Sequence, residues 1–374
     1  MAGLTLDLRP YGISHTLRAG FDFGRIKYSD LKQGSVQYGL LSDEIKSFKL
    51  GSGSGTAAAK TFTVVEELGK GTYGTSYKVV DDDGAEYAIK KIREKLTEKK
   101  AFQAFLKECI IQILVCKVSE TDKFGPFGPR IHDICFNEST GEGFVRSELM
   151  RGTLEYLLEN STAAANDIMV PDAIKQVSYM LSSLFKSLHF NHRDMKGDNI
   201  MYVRSADGRS RYMRFIDFGL SCITWNGMTI SGSTWFDNKH TCFKRDRDLS
   251  QLVFYLARYQ KDNLSDKLFE RLSRILKANV KGRHICKMGE LCPSQGLSKW
   301  TNVYNFVNRS NVKIPAGDPE FLYSNMVRFQ KDEAYKSPEK ELAPCPAGKT
   351  RNPATRRCIN KAGPKARRTL KARG

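Results

Sequence analysis

The stretch "NHRDMKGDNIMY", residues 191–202, sets Asp194, Lys196 and Asn199 within six positions, with His192 and Arg193 just ahead of them. Eighteen positions beyond Asn199, "FIDFGLS" supplies Asp217, Phe218 and Gly219. A solvated charged turn needs no particular order of acid, base and amide, so residue types fixed at this spacing point to chemistry. The chemistry that suits them is phosphoryl transfer, which needs a hydroxyl aligned with phosphorus and cations around the developing charge. Asp194 would orient the acceptor hydroxyl and take its proton, and Lys196 would steady the γ-phosphate. Asn199 and Asp217 would hold Mg2+, because hard carboxylate and amide oxygens suit that ion.

A nucleotide donor needs its own cradle. "GKGTYG" places Gly69, Gly71 and Gly74 at GxGxxG spacing. Alone this fits any hairpin loop, but a strand rather than a helix follows it, as expected of a flap that covers phosphates with its backbone N–H groups. Tyr73 would shield those phosphates from water. Lys90, in "YAIK" sixteen residues after Gly74, could reach beneath the flap, and Glu108 in "FLKECII" is placed to pair with it. Read in isolation, each is an ordinary strand lysine or an exposed helix glutamate.

The elements needed to position these groups are legible as periodicity. "TFTVVEELGKGTYGTSYKVVD" reads as strand, glycine turn, strand, and "DDDG" turns the chain into the strand "AEYAIKKI". Phe102, Phe105, Leu106, Cys109, Ile110 and Ile113 recur at helical spacing, and strand-like runs follow near 130–137 and 143–150. Pro171 is expected to open a helix with Ile174, Val177, Met180, Leu181, Leu184 and Leu188 on one face, running straight into "NHRDMKGDNIMY". A hairpin is expected at "SADGRSR", an irregular segment from about 219 to 245, and helices near 248–260 and 263–279.

Together these motifs resemble the protein kinases, over about residues 61–300. The resemblance implies an α+β, bilobal protein-kinase-like fold, with a small antiparallel β lobe (about 61–150) and a larger, mainly helical lobe (about 151–330). It implies ATP in the cleft between them, Mg2+, and protein substrates. Glu148 and Met150 then look like the hinge that binds adenine, with Ser147 as a small gatekeeper and Ala88 as half of the adenine roof. Lys196, two places after Asp194, resembles the serine/threonine class. Asp248 looks like the aspartate that ties the catalytic loop together, with Asp246 as its competitor. Arg193 implies control by a phosphate on Thr229, Ser231, Ser233 or Thr234. Two departures stand out: Ser76 replaces the apolar half of the roof, and no APE tripeptide closes the segment after Asp217.

The remaining features concern setting. The chain has 374 residues and a net charge of +19, which favours acidic partners. From Cys345 to the end stand ten Lys or Arg and no acid, so over half of that charge lies in a tail, expected over 331–374. Within it, "CPAGKTRNPATRRCINKAG" resembles the two-cysteine adaptor module (344–363) of proteins from large DNA viruses. That likeness implies a viral kinase of host cytoplasm or nucleus, or one packaged in the virion, and leaves open whether Cys345 pairs with Cys358. The tail would bind nucleic acid without sequence preference, or a virion protein.

The nine cysteines are scattered, as suits a reducing compartment and mostly free thiols. His240 with Cys242, and His284 with Cys286 and Cys292, lack the paired CxxC spacing of a zinc site. Neither a secretory leader nor a membrane span is expected, which points to a soluble intracellular protein. "GSGSGTAAAK" (51–60) reads as a flexible linker, and residues 1–50 as an N-terminal arm: a mobile arm, a docking segment or a small cap. The expected function is that of a serine/threonine protein kinase. Its rivals are a pseudokinase scaffold and a small-molecule or lipid kinase.

Overall fold

A computed structural model describes residues 5–39, 44–51, 59–71, 74–93, 95–205, 207–208, 210–232, 247–278, 349–351 and 358–360. The architecture is α+β, with strands first and helices later. A short antiparallel pair, β1 (Leu6–Asp7) and β2 (Thr16–Leu17), opens the chain. Then come β3 (Lys32–Tyr38), β4 (Ile45–Leu50), β5 (Lys60–Lys70), β6 (Gly74–Val80) and β7 (Glu86–Ile92). Helix α1 (Lys99–Val118) follows, then β8 (Ile131–Asn137) and β9 (Glu142–Glu148).

Strands β3 to β9 close into one barrel in the order β3-β4-β5-β6-β7-β9-β8. Every pairing is antiparallel except β3 with β8, which run parallel and seal it. Alternation along each strand sends Phe48, Leu50, Phe62, Val79, Ile89, Cys135 and Phe144 inward as a core of their own. The outer face toward α1 carries Ile131, Ile134, Phe136 and Val145, which join the main core instead.

Of the alternatives open for residues 1–50, the described part is packed against the sheet and not a free arm. The sheet begins at Lys32, not near residue 61, and Leu6, Leu8, Ile13, Leu17, Ile26 and Leu31 are each at most 4% exposed. Isolated aliphatics among glycines and serines carry no long periodic signal, yet burying each is worth about 1.5–3 kcal/mol. Residues 52–58 of the expected linker lie outside the described residues. The strands on either side of it pair directly, Leu50 opposite Lys60.

The helical part begins with β10 (Gly152–Thr153) and α2 (Leu154–Glu159), then α3 (Ala163–Leu188). Helix α3 starts eight residues before the expected Pro171. Thr162 caps it by accepting the Ala165 N–H, and Pro171 sits buried inside the helix. A hairpin, β11 (Ile200–Arg204) and β12 (Arg211–Phe215), follows directly on the loop of residues 191–199. Within the segment expected to be irregular from about 219 to 245, a second hairpin forms, β13 (Cys222–Trp225) and β14 (Met228–Ser231), turned by Asn226 and Gly227, both at positive φ, while residues 233–245 lie outside the described residues. Helices α4 (Arg247–Tyr259) and α5 (Asp266–Ala278) follow, and β15 (Lys349–Arg351) pairs with β16 (Cys358–Asn360).

Cys109, Cys116 and Cys135 are free and buried, and burial pushes the Cys116 thiol up to about 12. Cys222 is disulfide-bonded, an exception to the mostly free thiols expected. Tyr73, Ser233, Thr234, Asp246, Cys345 and the His–Cys groups at 240–242 and 284–292 lie outside the described residues. Among the described residues, no helix is long and apolar enough to cross a membrane.

Candidate active site

The loop after α3 is held from beneath by one carboxylate. Asp248, at the start of α4 and 1% exposed, accepts the N–H groups of His192 and Arg193, both at 2.8 Å, and the side-chain amide of Asn191 at 3.2 Å. Gln251, one helical turn on, grips the same loop from both sides. Its carbonyl accepts Met195 N–H at 3.0 Å, and its amide donates to Arg193 O at 3.1 Å. Sequence reading missed Gln251, although its i+3 spacing from Asp248 on an apolar helix was the available signal. Asn191 and Cys222 exchange backbone hydrogen bonds at 2.9 Å, stapling the loop to β13.

On that support Asp194 and Asn199 meet. The Asn199 amide donates to both Asp194 Oδ2 and Asp194 O at 2.8 Å, and Lys196 Nζ lies 3.7 Å from the same Oδ2. Asp194 Oδ1 is buried with no hydrogen-bond partner. With its amide nitrogen committed, Asn199 has its carbonyl oxygen left over as an acceptor.

The second half of the site hangs from the barrel. Lys90 Nζ and Glu108 Oε1 are 2.9 Å apart, linking β7 to α1, with 28% and 18% of their side chains exposed. Burial works against the Lys90 charge, but Glu108 and then Asp217 outweigh it and hold the ammonium above the ordinary lysine value. Asp217, at φ 60°, keeps a buried Oδ1 without a hydrogen-bond partner. A Cβ built on Gly219 would stand 3.5 Å from that Oδ1 and 3.3 Å from Glu108 Oε2, so lysine, glutamate and aspartate converge on one spot. Phe218 is fully buried, its ring centroid 5.6 Å from that of His192. The orphaned Asp217 Oδ1 is a hard oxygen of the kind that suits a divalent cation, although among the described residues no group of three or more His, Cys, Asp or Glu is placed to hold one.

The residues expected to form a flap and a hinge lie on the barrel strands and just after them. Gly71 N–H donates to Gly74 O at 2.8 Å, and Arg93 donates to Gly71 O at 2.7 Å. Ser76 and Ala88 lie on the neighbouring strands β6 and β7. Ser147 pairs with Ala88 across β9 and β7, Glu148 N–H donates to Arg130 O at 2.9 Å, and Met150 is 8% exposed. Among the positions expected to be regulatory, Arg193 is fully buried and donates to Ser231 Oγ at 3.2 Å, while Thr229 lies exposed on β14.

Residues 62–238 match the family model described as the protein kinase domain. The chain is 24% identical over 186 residues to serine/threonine-protein kinase SBK1 of Mus musculus, covering 49% of this chain and 40% of that protein. It is 27% identical over 165 residues to serine/threonine-protein kinase 4 homolog A of Dictyostelium discoideum, covering 43% and 31%. A probable LRR receptor-like serine/threonine-protein kinase of Arabidopsis thaliana is 26% identical over 194 residues, covering 48% and 16%. The chain thus spans less than half the length of each of these relatives. Residues 62–238 are similar to a protein kinase domain, and the relatives are distant serine/threonine kinases.

Proposed function

We propose that this chain is a serine/threonine protein kinase that moves the γ-phosphoryl group of ATP to protein hydroxyls. The observation that carries the reading is convergence: Lys90 paired with Glu108 at 2.9 Å, Asp217 beside them, and Asp194 braced by Asn199 at 2.8 Å. In this reading Asp194 accepts the proton of the acceptor hydroxyl, and the Asn199 amide keeps its carboxylate oriented. Lys196 lies against the γ-phosphate and Lys90 against the inner phosphates. Gly69, Gly71, Tyr73 and Gly74 fold over them, and Glu148 and Met150 present backbone to adenine beneath Ala88. Asn199 and Asp217 would hold Mg2+, whose charge offsets that developing on the phosphates.

The regulatory reading rests on Arg193. Its contact with Ser231 supports an arrangement in which phosphate on Thr229, Ser231, Ser233 or Thr234 would order the segment. Alanine at all four positions is then expected to lower activity, and unchanged activity would remove the idea. The β15–β16 hairpin supports a small folded element in the basic tail. We assign that element to adaptor-like binding of nucleic acid or a virion protein, in a viral, intracellular setting. Truncation at about residue 344 should abolish binding to DNA, with a steep salt dependence beforehand.

The direct test is transfer of label from ATP with Mg2+ to basic and acidic proteins. Asp194→Asn and Asp217→Asn are expected to lower the rate by about 10²–10⁴-fold. No transfer by the wild type would favour a pseudokinase scaffold, the reading that Ser76 in the adenine roof supports. Transfer persisting in both variants would overturn the site assignment.

A further inference from the structure

Helix α1 carries Glu108 near its middle and is buried nearly all round. Phe105, Leu106, Cys109, Ile110 and Ile113 are each at most 4% exposed, and so are Ile111, Leu114 and Val115 on its other flank. A helix with two apolar faces needs two covers. Residues 5–31 join the same core through Leu6, Leu8, Ile13, Leu17, Ile26 and Leu31.

This segment meets α1 at its N-terminal end. The Tyr28 ring meets that of Phe102, in the first turns of α1, at 4.4 Å, and its hydroxyl donates to Thr97 O at 2.7 Å. The segment is itself anchored to the barrel. Tyr28 stacks on Phe136 of β8 at 4.7 Å, and Lys32 N–H donates to Gly12 O at 2.8 Å. Gly12, at φ 86°, lies so close to β8 that a Cβ would stand 2.9 Å from Ile134 O. For Glu108 to leave Lys90 by a swing of α1, the start of the helix must part from Tyr28 or pull Tyr28 off Phe136 of β8.

We propose that residues 5–31 are a built-in clamp that positions α1, so that the Lys90–Glu108 pair forms without a separate activating partner. The proposal rests on the kinase reading for its effect on turnover. Tyr28 is accordingly a positioning residue, acting through Glu108.

The test compares full-length Tyr28→Ala and Tyr28→Phe with Leu268→Ala, a buried truncation in α5 that should destabilise without touching α1. Under conditions where all are folded, Tyr28→Ala should speed amide hydrogen exchange across 99–118 and leave 163–188 unchanged. Its kcat should fall by about tenfold, with Tyr28→Phe intermediate and Leu268→Ala near wild type. In a Glu108→Gln background the same Tyr28→Ala change should add little, because both act on one contact. Unchanged exchange in α1, or full additivity with Glu108→Gln, would overturn the clamp. If Tyr28→Ala does not fold, Tyr28→Phe decides by the same readouts. Absence of transfer in the wild type would defeat the kinase reading alone, since the exchange measurement still judges the clamp.

Discussion

A single carboxylate, Asp248, holds three donors of the loop that carries Asp194. Asp248→Ala would leave those groups unpaired in a buried site, at about 1–3 kcal/mol for each unsatisfied group. The expected loss of unfolding free energy is at least about 3 kcal/mol, with transfer abolished. Asp248→Asn keeps one acceptor oxygen and should lose less, so equal losses in urea titrations would contradict this account. Gly74 and Gly69 separate in the same way. A Cβ on Gly74 would collide with Lys91 O, whereas one on Gly69 meets nothing within 4 Å. Gly74→Ala should therefore cost about 1–3 kcal/mol through strain in the barrel. Gly69→Ala should change stability by no more than about 0.5 kcal/mol. A fall in ATP affinity for Gly69→Ala at unchanged stability would then report on the phosphates themselves. The glycine spacing was legible in the sequence, but the separate backbone reason for Gly74 was not, because it depends on how closely β7 approaches.

Elements were legible where their period was long and unbroken. Helix α4 begins within one residue of its expected start, and α1 shows the expected stripe. The apolar run "CIIQILVC" in α1 also carried a second message, that both flanks are covered, which a one-face reading of the helix passes over. The β13–β14 hairpin was missed although Asn226-Gly227 between "ITW" and "MTI" is a strong short-range hairpin signal. Both turn residues stand at positive φ, 48° and 76°. Gly227→Val should cost about 1–3 kcal/mol locally and speed hydrogen exchange over 222–231 with α3 unchanged. The clamp segment carries its own acid sensitivity. Burial pushes the Asp30 carboxyl up, but Lys27 N–H and the His15 ring, 2.9 Å away, outweigh it and hold its pKa below the ordinary value. A carboxyl lowered on folding contributes stability above its unfolded value, about 3.9, that is lost as pH falls through the lower folded one. With Asp30 partly exposed, the contribution is under about 1 kcal/mol. Asp30→Asn should reduce stability at pH 6 and converge on wild type below about pH 3, as thermal melts across that range would show.

At the scale of the whole molecule, the sequence could not reveal that β3 and β4 close the barrel, because closure is a pairing between residues about a hundred positions apart. Lys32 and Gln33 lie beside Cys135 and Phe136. What fixes that register is a buried ionic cluster at one end of the barrel interior. Asp133, 6% exposed, pairs with Lys32 at 2.7 Å and with Arg146, whose guanidinium lies 4.5 Å from the Tyr87 ring centroid and 4.9 Å from that of Phe62. Two cations sharing one buried carboxylate are compensated only while it is charged. Asp133→Asn should therefore cost about 3–5 kcal/mol. Joint replacement by Lys32→Met, Asp133→Leu and Arg146→Met should cost far less, since no charge is left stranded. The barrel and the clamp share a chain: residues 5–31 lead directly into β3, and Lys32 itself holds Gly12. Loosening β3 should thus loosen α1. Hydrogen exchange on Asp133→Asn is expected to rise over 32–50 and over 99–118 together. A rise confined to 32–50 would mean that the barrel closes for its own stability, and that α1 is held by the segment before it alone.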